Sequence, residues 1–125
     1  MPRNWLSFKR NAVPVVSVRI GARRYEAMID TGAFISMISP ELTIRLGLAK
    51  QGLQPVISVH GDVQIRDVVI LPPTGIAEFE IVSCKAVIGN LNPLKHGLDL
   101  LLGVNAFANH RLDIDFGKGR VYLLG

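Results

Sequence analysis

The sequence predicts an all-β domain with little helix. Short runs rich in valine and isoleucine alternate with polar residues, as they do from Val13 to Ile20, and this period of two is typical of half-buried strands. Glycine, proline and asparagine separate the runs at close spacing, which favours a barrel or a folded sheet. Because 49% of the residues are hydrophobic and only 19% are charged, the composition supports a packed core and excludes a disordered chain.

The chain of 125 residues is expected to form one domain. Residues 1–12 show no clear period and are expected to form an N-terminal arm, and residues 13–125 are expected to form the domain itself. No linker rich in proline or serine divides the sequence.

The first part of the chain is predicted to form a hairpin, a sharp break and a short helix. The strands of the hairpin are Val13–Ile20 and Arg24–Ile29. Asp30-Thr31-Gly32 interrupts the second strand, and the chain then becomes apolar again. Ser39 and Pro40 predict the start of a helix, because serine caps free amides and proline suits the first helical position.

The middle of the chain is predicted to contain a second hairpin and a further strand. The strands Pro55–His60 and Val63–Leu71 would be joined by the two-residue turn Gly61-Asp62. Alternation of polar and apolar residues predicts a single strand over Ile76–Val82.

The last part of the chain partly repeats the first. An apolar strand over residues 98–102 ends at Gly103, and one or two helical turns are predicted over Val104–Asn109. A closing hairpin is predicted from Leu112–Phe116 and Arg120–Leu124.

The chemistry of Asp30 does not match its surroundings. It lies between an apolar strand and a second apolar segment, whereas a solvated loop acid usually has polar neighbours. Such a mismatch is typical of functional sites. The simpler interpretation, an acid that caps a β-bend, stays open on these residues alone.

Two motifs in the chain resemble those of the retropepsin-like aspartic proteases. Asp30-Thr31-Gly32-Ala33 resembles the first motif, and Leu101-Leu102-Gly103, about seventy residues later, resembles the second. Asn105 fits the stretch that begins the helix after the second motif. The likeness extends from Val13 to Phe116 and is greatest to small, free-standing cellular or bacterial members.

The resemblance implies a closed, mostly β barrel with one or two short helices, forming a single lobe that pairs into a homodimer. It implies an aspartic-type endopeptidase in which Asp30 of each chain is catalytic, with a peptide or protein as the substrate. Two carboxylates that share one proton can activate water and polarise a carbonyl group together. The resemblance implies neither a metal ion nor an organic cofactor.

The same resemblance assigns supporting roles to residues near Asp30. Residues that would shape and support the active-site loop are Thr31, Gly32, Ala33, Leu101, Leu102, Gly103 and Asn105. Thr31 would form a hydrogen bond across the dimer axis, and Gly32 would allow close backbone approach. Residues that would form the flap or contact the substrate are Ile35, Val59, His60, Gly61, Asp62 and Val63.

Two other function classes are weighed against a protease. The same lobe could capture peptides without cleaving them. The net charge of +4 is compatible with a second alternative, a β-barrel that binds nucleic acid. Base stacking requires aromatic residues interleaved with the basic ones, and the sequence lacks that arrangement. We therefore expect a solvated basic surface and no nucleic-acid partner.

The sequence also bears on location and metal binding. No apolar run reaches the roughly 20 residues that span a bilayer, so no membrane partner is expected. No apolar stretch follows the charged residues 1–10, so we expect no signal peptide and a cytoplasmic location. The single cysteine, Cys84, excludes an internal disulfide, and the three histidines lack metal-ligand spacing.

Overall fold

The chain consists mainly of β-strands. The computed structural model describes residues 4–58, 60–94 and 97–125, which form twelve strands, one α-helix and two 3₁₀ helices. The strands are β1 Trp5–Ser7, β2 Val15–Ile20, β3 Arg23–Ile29, β4 Ser36–Ile38, β5 Leu53–Ile57, β6 Val63–Ile70, β7 Thr74–Ile76, β8 Phe79–Ile81, β9 Lys85–Ile88, β10 Leu100–Leu102, β11 Arg111–Asp115 and β12 Arg120–Leu124. The helices are α1 Pro40–Arg45 and the 3₁₀ helices Asn92–Leu94 and Val104–Phe107. The prediction of a mostly β chain with short helices is confirmed.

The strands form two sheets. A nine-stranded sheet has the order β5-β6-β9-β4-β10-β3-β2-β7-β8, and a three-stranded sheet has the order β1-β12-β11. Among the described residues the larger sheet ends at β5 and at β8, so its closure into a barrel stays a prediction. No helix in this part of the chain is long and apolar enough to cross a membrane.

Strand β10 lies at the centre of the larger sheet. It pairs in parallel with β3, where Leu102 is opposite Ile29, and antiparallel with β4, where Leu100 is opposite Ile38. Since parallel strands end at the same edge of a sheet, the segments that begin at Asp30 and Gly103 emerge side by side. The two strands that end at Asp30 and at Gly103 are thus neighbours in space.

The predicted first hairpin is confirmed as β2 and β3. Val16, Val18 and Ile20 are buried while the residues between them are half-buried, as the alternation in the sequence predicted. Gly21 begins the turn with φ +60°, a left-handed conformation that glycine adopts without steric cost.

The predicted helix is also confirmed, as α1. The hydroxyl of Ser39 accepts a hydrogen bond from the amide of Leu42 at 3.1 Å, and Pro40 is the first helical residue. Leu42 is buried in the core, and Gly47 follows the helix with φ +63°.

The prediction of one strand over Ile76–Val82 is wrong. Strands β7 and β8 pair antiparallel there, with Ile76 opposite Phe79 across a tight turn. The turn places Ala77 at φ +53°, and the guanidinium of Arg19 donates a hydrogen bond to the Ala77 carbonyl at 2.9 Å. Because alanine rarely adopts this conformation, the sequence carries no local signal for the turn.

The second hairpin forms, but its predicted two-residue turn is wrong. The ladder between β5 and β6 ends at Ile57 opposite Val63, so a longer loop connects the strands. The amide of Gly61 donates to the Ser58 carbonyl at 3.0 Å, and the Ser58 hydroxyl accepts from the amide of Asp62 at 3.3 Å. Ser58, which lies outside the predicted two-residue turn, therefore closes the loop through its hydrogen bonds to Gly61 and Asp62.

The predicted closing hairpin is confirmed as β11 and β12. The segment expected to be an N-terminal arm contributes β1, which pairs with β12 on its other side. Phe8 is buried, and its amide donates to the Gly119 carbonyl at 2.8 Å. Part of residues 1–12 is therefore packed against the domain.

Candidate active site

Asp30 lies in a tight turn directly after β3. Its carboxylate accepts a hydrogen bond from the amide of Gly32 at 2.9 Å, and its carbonyl accepts one from the amide of Ala33 at 3.1 Å. The side chain is half-buried, while Thr31 and Gly32 are exposed. The turn thus holds the carboxylate in a defined orientation and leaves it accessible.

The segment after β10 supports this turn from below. The amide of Asp30 donates to the Leu102 carbonyl at 2.9 Å, and the amide of Val104 donates to the Ala33 carbonyl at 2.8 Å. Leu102 is fully buried in the core. Both ends of the Asp30 turn are therefore tied to residues 102–104 by backbone hydrogen bonds.

Gly103 allows the two segments to approach closely. A Cβ atom at this position would lie 2.7 Å from the Ala33 carbonyl oxygen and 2.9 Å from the carbonyl carbon and oxygen of Ile35. The backbone of Gly103 is extended, with φ −88° and ψ −173°, which any residue can adopt. Space, rather than backbone conformation, requires glycine here.

A partly buried hydrogen-bond network connects β4 to the segment that begins at Gly103. The Asn105 side-chain oxygen accepts from the Ser36 amide at 2.9 Å and from the Ser36 hydroxyl at 2.8 Å. The same hydroxyl accepts from the Gly103 amide at 3.0 Å. The Asn105 side-chain amide donates to the Lys85 carbonyl at 2.7 Å, which brings β9 into the network.

Ser36 was not among the residues that the sequence analysis selected. Its partners Gly103 and Asn105 are 67 and 69 positions away along the chain. The sequence does contain one signal, because the hydroxyl of Ser36 lies between the apolar residues Ile35 and Met37. A polar side chain that is buried with such neighbours requires a hydrogen-bond partner.

Cys84 lies beside the same network, with its sulfur 3.7 Å from the Ser36 hydroxyl. Burial raises the pKa of the Cys84 thiol, and the hydrogen bond with Ser36 opposes that rise. The thiol is therefore protonated near neutral pH, and a protonated, buried thiol is a poor nucleophile.

We expect Cys84 in the folded protein to react with iodoacetamide at least about tenfold more slowly than in the unfolded chain near neutral pH. Burial raises the pKa of the Cys84 thiol in the folded protein above its value in the unfolded chain. The contribution of the neutral thiol to the free energy of unfolding is therefore complete below the unfolded-state pKa, and it is lost as the pH rises through the folded-state pKa. Mass spectrometry of labelling with and without urea measures the rates, and Cys84→Ser provides the background. Equal rates in the two states would contradict this placement of Cys84.

An open cleft of about 650 Å³ separates the Asp30 turn from the hairpin of β5 and β6. It is lined from the turn by Asp30, Gly32, Ala33, Phe34 and Ile35, from the floor by Met37, Val87 and Leu101, and from the hairpin by Gln54, Pro55, Val56, Ile57, Ser58, Gln64 and Arg66. This volume is in the range of small-molecule and peptide side-chain sites. The carboxylate of Asp30 therefore lies on one wall of the cleft, and the β5–β6 hairpin forms the other wall.

Several residues selected from the sequence meet at this cleft, and others do not. Asp30, Gly32, Ala33, Ile35 and Leu101 line it, whereas Leu102, Gly103 and Asn105 lie behind the turn. The flap residues lie near the end of the hairpin, where His60, Gly61, Asp62 and Val63 are exposed outside the cleft lining. Val59 lies outside the described residues. Contacts of these flap residues with a substrate stay a prediction.

Sequence reasoning did not find the hairpin residues Gln54, Val56, Gln64 and Arg66 that form the upper wall. Their strands were predicted, but which face of each strand turns toward Asp30 depends on how the hairpin folds over the cleft. A strand pattern alone does not decide that choice when both faces remain exposed to solvent.

Comparisons with known proteins agree with this geometry. A family model described as aspartyl protease matches residues 16–106, which include the Asp30 turn and the Gly103 segment. Comparison with curated protein sequences finds no match.

Solved structures of other proteins share the fold, among them the following two. A retropepsin-like aspartic protease from Rickettsia conorii superposes with a TM-score of 0.67 at 20% identity, over 95% of this chain and 87% of that one. The retroviral protease-like domain of Ddi1 from Leishmania major superposes with a TM-score of 0.60 at 17% identity, over 93% of this chain and 97% of that one. The predicted retropepsin-like single lobe is thereby confirmed, and the chain belongs to the aspartyl protease family.

Proposed function

We propose that the chain is an aspartic endopeptidase that cleaves peptide bonds as a homodimer. The observation that carries the proposal is the position of Asp30, which the Gly32 amide orients at 2.9 Å on the wall of an open cleft. The rigid support behind it, from Leu102 and Gly103, is what a catalytic carboxylate requires, since small displacements of a reacting group cost much rate.

The reaction needs a second carboxylate, which a second copy of Asp30 supplies in this proposal. The ionised carboxylate takes a proton from water as the water oxygen bonds to the carbonyl carbon, and the protonated one donates to the carbonyl oxygen. The C–N bond then breaks, and the leaving nitrogen takes a proton from the pair. Two carboxylates that act on the same water and carbonyl group lie too close together to ionise easily at the same time, so the pair retains one proton.

Exposed apolar side chains beside the turn support pairing of two copies. Phe34, four residues after Asp30, is 89% exposed, and Val104 is 50% exposed on the neighbouring segment. Large exposed apolar side chains that cluster at one place are typical of interaction surfaces. A partner that covers this surface would bring the second Asp30 to the first.

We expect the specific activity of the wild-type protein to fall when it is diluted below the dissociation constant of the dimer. A peptide library analysed by mass spectrometry identifies a cleaved sequence, and the rate of that cleavage is then measured across a dilution series. Sedimentation of the same samples gives the dimer fraction, and a pepstatin-type inhibitor is expected to suppress cleavage at every concentration.

Two results would count against this proposal. A specific activity that stays constant while sedimentation shows only monomer would exclude a site shared by two chains. Peptide binding without any cleavage would instead support a lobe that captures peptides and does not hydrolyse them.

A further inference from the structure

The hairpin that covers the cleft contributes both polar and apolar residues to its lining. The side chains of Gln54, Gln64 and Arg66 line the cleft opposite Asp30. The cross-strand pair Ile57 and Val63 lies at the end of the hairpin and is 72% and 63% exposed. Val56 is paired with Gln64 and lies on the same face as Gln54 and Arg66, so this inner face carries two amides, a cation and one apolar side chain, and Ile57 also borders the cleft.

Arg66 carries the charge on this inner face. It is half-buried, and its guanidinium donates to the Gln64 side-chain oxygen at 2.6 Å. Among the described residues that line the cleft, Asp30 and Arg66 are the two with charged side chains. The cleft therefore has a carboxylate on one wall and a cation on the other.

No carboxylate from the described part of the chain pairs with Arg66. The ion pairs found there join Lys50 to Asp67 at 3.5 Å and Arg111 to Asp113 at 3.2 Å. A guanidinium has five N–H donors in a rigid fork, and Gln64 engages it from one side. The remaining donors are available to a group that enters the cleft.

We propose that Arg66 selects substrates that carry a carboxylate, a preference that rests on the proposed endopeptidase function. A carboxylate matches the guanidinium fork with two parallel hydrogen bonds, and such charge-assisted bonds are among the strongest in proteins. The floor of the cleft is apolar at Met37, Val87 and Leu101. The substrate is therefore a peptide in which an acidic group lies near apolar side chains, and the carboxylate is either a side chain or the chain terminus.

Matched peptides test the preference. Each pair differs only by glutamate or glutamine at one position around the scissile bond, and all pairs have an amidated C-terminus. We expect kcat/KM to be about tenfold or more higher for the glutamate member at one position. A second set with neutral side chains and a free or amidated C-terminus separates recognition of a side chain from recognition of the terminus.

Substitutions then assign the preference to Arg66. Arg66→Gln is expected to abolish the difference between the members of the best pair, and Arg66→Glu is expected to favour lysine over glutamate there. Arg24→Glu is the matched control, because Arg24 is an exposed arginine on β3 outside the cleft. A glutamate preference that persists in a folded Arg66→Gln variant, as judged by circular dichroism, would overturn the inference.

Binding separates failure of this inference from failure of the proposed function. Fluorescence anisotropy measures binding of the same peptides to Asp30→Asn, which is not expected to cleave them. Tighter binding of the glutamate peptide with no cleavage by wild type would retain the role of Arg66 and refute the protease. Cleavage by wild type with equal rates and equal binding for both peptides would retain the protease and refute the role of Arg66.

Discussion

Replacing Asp30 with asparagine is expected to abolish peptide hydrolysis, with a loss in kcat of more than about 10³-fold. Asparagine cannot take a proton from water, and in the proposed homodimer the substitution would replace both carboxylates of the pair. The fold should persist, because the side-chain oxygen of asparagine can still accept the hydrogen bond that the Gly32 amide now donates at 2.9 Å. Cleavage of a peptide identified from the library, followed by mass spectrometry, measures the loss.

Asp115→Asn is the matched control for this substitution. The Asp115 carboxylate accepts a hydrogen bond from the amide of Lys118 at 2.9 Å, in a turn of the β11–β12 hairpin outside the cleft. The same change of charge and the same type of hydrogen bond are therefore tested away from Asp30. Hydrolysis by Asp30→Asn at the rate of the control would refute the assignment of Asp30 as the catalytic residue.

Gly103→Ala is expected to destabilise the protein by about 1–3 kcal/mol and to reduce activity further than the loss of folded protein explains. The added methyl group would lie within 3 Å of the backbone of Ala33 and Ile35, which cannot move aside as a flexible side chain can. Relief of that overlap must displace the segment that follows Asp30. Urea unfolding measures stability, and kcat measured on the folded fraction reports the displacement.

The structure provides a matched glycine for comparison. Gly117 has no positive φ, and an added Cβ there would lie 3.5 Å from a carboxylate oxygen of Asp115, an ordinary contact. Gly117→Ala is expected to change stability by less than about 0.5 kcal/mol and to leave activity unchanged. If Gly103→Ala behaved in the same way as Gly117→Ala, the close packing of the two segments would not be what holds the Asp30 turn.

Local chemistry allowed much of the fold to be predicted. The β2–β3 hairpin followed from alternation, and α1 followed from Ser39 and Pro40 at its start. The tight turn between β7 and β8 could not be predicted. Ala77 adopts a positive φ there, and its carbonyl accepts a hydrogen bond from the side chain of Arg19. Where a neighbour distant in sequence stabilises an unusual local conformation, local preference is not enough.

The sequence by itself determined that the chain folds mainly as strands, that an acid interrupts one apolar strand, and that a glycine ends another. These properties depend on periodicity and on neighbouring residues, both of which are local in the sequence. The tertiary structure alone decided that Ser36 joins Gly103 and Asn105 behind the turn and that Arg66 lies across the cleft from Asp30. The physical reason is that these relations depend on strand pairing and on the direction of a hairpin, which bring together residues far apart in the sequence.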